Sequence, residues 1–173
     1  MSTQLLDEHD ISWQDDAFYG TSLKRPIDKI DDTLFIGNIF GRVALPSAIG
    51  AVVVCLTESE HANAPPLPTH VIEHFVGIDD VLNISHELLH KIVTRACAHI
   101  EEAVAKGHSV FVHCGAGVSR SATMVIAYLM KRDKLTFAEA MTRVENVRYC
   151  ICPNPTFQNY LRWREGLIVQ KTH

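Results

Sequence analysis

Short, almost wholly apolar segments alternate along this chain with longer segments in which apolar residues recur every three or four positions. Residues 34–37, 51–56 and 109–113 form continuous apolar runs, which are typical of strands buried on both faces of a sheet. Residues 71–78 are a further strand candidate. The three prolines within residues 62–69 predict a loop between the strands over residues 51–56 and 71–78.

The longer segments carry a helical period and recognisable end signals. Residues 86–106 predict one long helix, ended by Gly107, and residues 121–131 predict an apolar helix. Thr136 and Glu139 have capping-box spacing, and Asn154 followed by Pro155 predicts the start of a last helix over residues 157–168. This alternation predicts an α/β fold with a central, mainly parallel, twisted sheet flanked by helices.

Composition limits the function classes. The chain has 173 residues, 47% of them hydrophobic, with a net charge of −4, so we expect no nucleic-acid partner and no membrane surface. Five cysteines at irregular spacings and no signal-peptide pattern predict reduced thiols in the cytoplasm, with the nucleus as a second compartment. We expect an acidic, flexible arm over residues 1–26 and a catalytic domain over 27–173.

Residues 110–121 hold the pattern that predicts chemistry. An apolar strand ends at His113, a seven-residue turn runs from Cys114 to Arg120, and a helix follows. Two glycines allow the turn to point successive N–H groups inward, and the helix N-terminus adds positive potential at the same place. Arg120 can bind two oxygens of a phosphate, and this electropositive site favours the thiolate form of Cys114.

Residues 113–123 resemble the signature loop of the cysteine-dependent dual-specificity protein phosphatases. Residues 30–38 and 53–58 are similar to that family's first two buried strands, and Arg148, Pro153, Asn154 and Phe157 match its C-terminal pattern, with Tyr149 in place of a proline. The resemblance covers roughly residues 27 to 168.

The resemblance implies a two-step mechanism. Cys114 attacks phosphorus, Ser121 assists the departure of its sulfur, and His113 braces the loop. The phosphate is bound by Arg120 and by the loop amides, for which the candidate residues are Gly115, Ala116, Gly117, Val118, Ser119 and Arg120.

A general acid must protonate the leaving oxygen. In the family this is an aspartate some thirty residues before the cysteine. Here Asp79 and Asp80 lie 35 and 34 residues before Cys114. We favour Asp80 and keep Asp79 as the alternative general acid.

The loop carries no charge besides Arg120, which favours a phosphoprotein over a polyphosphorylated lipid. We therefore predict a phosphatase for phosphotyrosine, and for phosphoserine and phosphothreonine, that needs no cofactor and no metal. The expected partner is a phosphoprotein substrate, with a protein kinase as one candidate. The sequence does not determine the oligomeric state.

Three alternatives stay open. A protein with the phosphatase fold could bind phosphoproteins without turnover, although Cys114 and Arg120 are both present. His86-Glu87-Leu88-Leu89-His90 matches a zinc-protease pattern but lacks a third ligand, so we interpret it as the first turn of a core helix. Finally, Cys55 is a candidate partner for a protective disulfide with Cys114, or else a small buried hydrophobe.

Overall fold

A computed structural model describes residues 24–170, with side chains to residue 167. Within these residues, five strands form one sheet in the order β1-β2-β5-β3-β4, parallel except for the antiparallel pair β1 and β2. The strands are β1 (Ile27–Lys29), β2 (Leu34–Gly37), β3 (Ile49–Val54), β4 (Ile72–Phe75) and β5 (Ser109–His113). The predicted mainly parallel α/β sheet is therefore confirmed. The predicted acidic arm lies outside the described residues except for 24–26.

In the part of the chain that the structure describes, five α-helices and a 3₁₀ turn accompany the sheet. The turn covers Ile39–Val43, and the helices are α1 (Glu58–Ala62), α2 (His86–Ala105), α3 (Arg120–Asp133), α4 (Phe137–Glu145) and α5 (Pro155–Gln170). The capping box predicted at Thr136 is present, Asn154 Oδ1 caps α5 through Phe157 N at 3.0 Å, and Gly107 follows α2 with φ +85°. A second capping box, between Thr57 and Glu60, opens α1.

The core is built around β3, β5 and α3. Every residue of β5 from Val110 to His113 is buried, and α3 is buried without interruption from Arg120 to Met130. A helix buried all round must pack inside the domain, and each of its large apolar side chains contributes about 1.5–3 kcal/mol by burial. Helices α2 and α3 pack on β5 and its neighbours, and α4 and α5 pack against α3.

The sheet register brings three strand ends together. Gly37 at the end of β2 and Val54 at the end of β3 both pair with His113 at the end of β5. Because parallel strands deliver their following loops to one edge of the sheet, the segments after all three strands meet around Cys114. Within residues 24–170, no helix is both long enough and apolar enough to cross a membrane.

Candidate active site

Cys114 lies at the carboxyl end of β5 and is 2% exposed. Its Sγ lies 3.3 Å from Ser121 Oγ, and the Gly117 N–H donates to it at 3.2 Å. Both contacts come from the segment between β5 and the first turn of α3. The loop and the helix that follow the strand therefore hold the sulfur in place.

The 114–120 loop has its carbonyl groups bound from outside. Each carbonyl of residues 114–118 lies within hydrogen-bond distance of a nitrogen elsewhere in the fold. In order, these nitrogens are His113 Nδ1, Ile39 N, Arg148 Nη2, Arg148 Nε and Cys152 N, at 3.2, 3.0, 3.2, 2.7 and 2.8 Å. Since C=O and N–H point in opposite directions across a trans peptide, the loop N–H groups face the other way, as Gly117 N does toward the sulfur.

The loop needs a glycine at position 117. Gly117 has φ +70°, a backbone conformation that side-chain-bearing residues rarely adopt. A Cβ atom at this position would also lie 2.5 Å from the Gly37 carbonyl and 2.7 Å from Arg148 Nη2. The left-handed turn and the close approach of β2 and Arg148 therefore both depend on the absence of a side chain.

Arg120, the first residue of α3, is held by a carboxylate that the sequence analysis did not identify. Glu60 Oε2 and Oε1 accept from Arg120 Nη1 and Nη2 at 2.6 and 2.9 Å. Burial alone would raise the pKa of Glu60, but hydrogen bonds from Arg120 and from Thr57 outweigh it and lower that pKa. Burial alone would lower the pKa of Arg120, and Glu60 raises it instead. Arg120 therefore stays a cation.

One nitrogen of Arg120 has a different environment. Its Nε is buried and has no hydrogen-bond partner within the described part of the chain. A buried guanidinium N–H without an acceptor costs free energy, and a bound anion would supply the missing acceptor. The unpaired Nε is therefore consistent with an anion-binding site at the loop. Glu60 thus fixes one side of the guanidinium and leaves the Nε side for a ligand.

The two candidate acids differ in their surroundings. Asp80 Oδ1 accepts from Ser119 Oγ at 2.9 Å and from Asn154 Nδ2 at 2.7 Å, which brings Asp80 to the 114–120 loop. Asp79 Oδ1 instead accepts from the Asp80 N–H at 2.8 Å. Ser119 holds the N-cap position of α3 but makes no side-chain cap, because its hydroxyl oxygen accepts from Asn154 N at 3.1 Å while its proton is donated to Asp80. The first N–H groups of α3 are therefore left for another acceptor.

His113 is fully buried behind the loop. Burial is the main cause that lowers its pKa to about 3, so the ring is neutral at physiological pH. Its Nδ1 lies 3.2 Å from Cys114 O, and its Nε2 lies 3.3 Å from Arg42 Nη1. The ring thus joins the backbone of Cys114 to a buried arginine of the 3₁₀ turn.

Cys55 follows β3 beside Cys114, since Val54 pairs with His113 and Cys55 N donates to His113 O at 2.8 Å. Burial, and then the neighbouring Cys114, raises the pKa of the Cys55 thiol. All five cysteines are free thiols in this structure, and the disulfide between Cys55 and Cys114 stays a prediction.

The two histidines of the zinc-protease pattern pack against aromatic side chains. The His86 ring contacts Trp163 edge-on with centroids 4.1 Å apart, and His90 Nδ1 lies 3.0 Å from Tyr160 Oη. Across residues 24–170, no group of three or more histidine, cysteine, aspartate or glutamate side chains is placed to hold a metal ion. Within that range, this motif therefore forms part of the packing between α2 and α5.

Comparison with known proteins identifies a family to which most of this chain is similar. The family model for the dual specificity phosphatase catalytic domain matches residues 49–165. Dual specificity protein phosphatase 1B of Arabidopsis thaliana is 30% identical over 144 residues, which cover 83% of this chain and 84% of that protein. Dual specificity protein phosphatase 19 of Mus musculus is 49% identical over 63 residues, which cover 36% of this chain and only 29% of that protein.

A solved structure shows the same architecture. The crystal structure of human DUSP28 superposes with a TM-score of 0.73 at 28% sequence identity, covering 84% of this chain and 96% of that chain. The similarity therefore extends well beyond the loop.

Proposed function

The chain belongs to the dual specificity phosphatase family, and from that membership we propose that it hydrolyses phosphate monoesters on phosphoproteins through a phosphocysteine at Cys114. The observation that supports this role best is the orientation of the 114–120 loop. The carbonyls of residues 114–118 are bound from outside, so the opposite side of the loop, where the Gly117 N–H meets the Cys114 sulfur, and the Nε of Arg120 can face the oxygens of one phosphate group.

In the first step the Cys114 thiolate attacks phosphorus, and the S–P bond forms as the bond to the ester oxygen breaks. Asp80 gives its proton to that oxygen, and the product alcohol leaves. Asp80 suits this task because Ser119 and Asn154 both donate to its Oδ1. Its Oδ2 has no partner among the described residues and can carry the proton that is transferred. Asp79 remains the alternative acid.

In the second step water attacks the phosphocysteine. The Asp80 carboxylate takes the proton from water, the S–P bond breaks, and inorganic phosphate and the Cys114 thiolate are released. Ser121 Oγ, 3.3 Å from the sulfur, is placed to donate a hydrogen bond to the departing thiolate. His113 takes no proton in either step, because its ring contacts the backbone of Cys114 and Arg42 instead.

The first experiment measures hydrolysis of an aryl phosphate and of a phosphotyrosine peptide in the presence of a chelator. Wild type should be active, Cys114→Ser inactive, and Cys97→Ser, which changes a cysteine of α2, as active as wild type. A folded wild type that binds phosphopeptides without hydrolysing them would instead identify a phosphate-binding protein.

The choice between the two acids is tested with two leaving groups. Asp80→Asn should lower kcat by roughly 100-fold to 10,000-fold for a substrate that releases an alkoxide, and much less for an activated aryl phosphate. Asp79→Asn should change both rates little. The reverse pattern would assign the acid to Asp79.

We also propose that the substrates carry phosphotyrosine and phosphoserine or phosphothreonine, and that protein kinases are among them. The lack of any charge in the loop besides Arg120 supports a phosphoprotein over a polyphosphorylated lipid. Cytoplasmic or nuclear location and the catalytic domain bounds 27–173 stand as proposals with it. Comparing initial rates on matched phosphotyrosine and phosphothreonine peptides tests the breadth of specificity.

A further inference from the structure

We propose that Arg42 is a positioning residue for this reaction, because it holds the His113 ring in the tautomer that carries its proton on Nδ1 and so fixes the carbonyl of Cys114. The inference deepens the function proposed above and rests on it for its catalytic consequence. The tautomer itself can be measured without any assay of activity.

Arg42 is an unusual residue for its place. It is 4% exposed, and it lies in the short 3₁₀ turn that follows β2. Its Nε donates to the carbonyl of Pro65, and its Nη1 donates to Glu73 Oε1 at 2.9 Å. A buried guanidinium is tolerated only where such partners compensate its lost hydration. The same Nη1 lies 3.3 Å from His113 Nε2.

This contact determines which ring nitrogen carries the proton. Arginine has N–H donors and no acceptor, so Nη1 can bond to His113 only if Nε2 offers a lone pair. The proton of the neutral ring must then sit on Nδ1. That nitrogen lies 3.2 Å from the Cys114 carbonyl, which can only accept. The two contacts thus require the same tautomer.

The charged groups around the ring agree with a neutral imidazole. Burial is the largest influence and lowers the pKa of His113 to about 3; the Cys114 carbonyl and Glu73 act in the opposite direction, and Arg42 and His61 lower the pKa further. Glu73 is itself engaged by Arg42 and by His61 Nε2 at 2.8 Å. The Glu73 carboxylate is therefore already engaged by Arg42 and His61, and it makes no direct contact with the His113 ring in the described structure.

The 3₁₀ turn consequently holds the first two carbonyls of the 114–120 loop. Ile39 N binds Gly115 O directly at 3.0 Å, and Arg42 acts on Cys114 O through His113. Because C=O and N–H oppose each other across a trans peptide, holding Cys114 O on His113 turns the Gly115 N–H to the other side of the chain. Without Arg42 the ring can adopt its other tautomer, and Cys114 O loses its donor.

The primary test is the tautomer of His113 in the wild-type protein. We would label the ten histidines with ¹⁵N and record two-bond correlations between ring carbon-bound protons and ring nitrogens. The His113→Gln spectrum identifies the signals of His113. The expected result is a protonated Nδ1 and a bare Nε2 at pH 7. A protonated Nε2, or a charged ring, would overturn the proposal.

The second test uses variants whose folding is checked by urea unfolding. Arg42→Met should lower the population of the Nδ1–H tautomer, because only the Cys114 carbonyl then favours it. It should also slow alkylation of Cys114 by iodoacetamide at pH 6 about tenfold and lower kcat by roughly 10-fold to 100-fold. Arg42→Lys, which keeps a charged donor, should restore the tautomer and part of the rate. The exposed Arg95→Met should behave as wild type.

The outcomes separate this inference from the proposed function. A folded Arg42→Met protein with an unchanged tautomer and an unchanged alkylation rate refutes the role of Arg42, whatever the activity. If Arg42→Met does not fold, the wild-type spectrum and Arg42→Lys decide the question. An inactive wild type with the expected tautomer would leave the inference on His113 standing and refute the proposed activity alone.

Discussion

Acidification from pH 7 to pH 5 should destabilise the wild-type protein by about 2 kcal/mol more than it destabilises a His113→Gln variant. His113 is fully buried, and burial is the main cause that lowers its pKa to about 3. In the unfolded chain a histidine titrates near pH 6.5. At each pH unit below that value, the free energy of unfolding falls by about 1.4 kcal/mol, because only the unfolded chain is protonated there. Between pH 6.5 and pH 5 this amounts to about 2 kcal/mol.

The sign follows from proton binding by the two states. Below pH 6.5 the unfolded chain binds a proton at this position, while the folded protein binds it only near pH 3, so acid favours unfolding. The stability that depends on neutral His113 is thus fully present above pH 6.5 and declines continuously toward pH 3.

Urea unfolding at pH 7, 6 and 5 measures the difference, provided that the slope of free energy against urea is the same for both proteins. The other nine histidines, including His99, whose pKa is lowered by burial and by His74, contribute equally to both proteins and cancel in the comparison. Parallel pH dependences would refute the reasoning, since they would mean that His113 titrates alike in the folded and unfolded states.

Three further predictions concern single contacts. Glu60→Gln should lower kcat about tenfold, because Arg120 loses its bidentate carboxylate. The control Glu58→Gln changes an exposed residue and should leave kcat unchanged, and an unaltered kcat in Glu60→Gln would contradict the role of Glu60 in positioning Arg120. Arg148→Met should cost about 3–5 kcal/mol in urea unfolding, because buried Asp28 keeps only its ion pair with the half-exposed Arg25 and the Ala116 and Gly117 carbonyls lose their buried donor. Adding Asp28→Asn should recover part of the loss. Thr136→Ala should cost about 1 kcal/mol of stability by removing the cap of α4, with no change in kcat; a catalytic effect would argue against a purely local role.

The long elements of this fold could be read from local patterns. The helix predicted over residues 86–106 is observed as His86–Ala105, and the strand predicted over 109–113 matches the observed bounds. The strand predicted over 51–56 is shifted to Ile49–Val54. These elements carry enough apolar residues to show their period, and their ends are marked by capping side chains or a glycine, which act over a few residues only.

The short elements were not predicted. Strand β1, the 3₁₀ turn Ile39–Val43 and helix α1 have three to five residues each, too few to show a period. Helix α1 did leave a signal, because Thr57 and Glu60 have the spacing of a capping box. The other two are stabilised by contacts with distant segments, such as Asn38 N with Pro26 O and Ile39 N with Gly115 O.

The candidate site divides in the same way. Cys114, Arg120 and Ser121 lie within eight residues of one another, so the sequence by itself could place the candidate nucleophile and its proposed phosphate-binding partners on one strand–loop–helix turn. The partners that hold this turn come from far along the chain: Glu60 on Arg120, Arg42 on His113, and Arg148 on the loop carbonyls. Only the tertiary structure decides these pairings, because the order of strands in the sheet sets which loops meet, and each buried donor or carboxylate then needs the partner that arrives there.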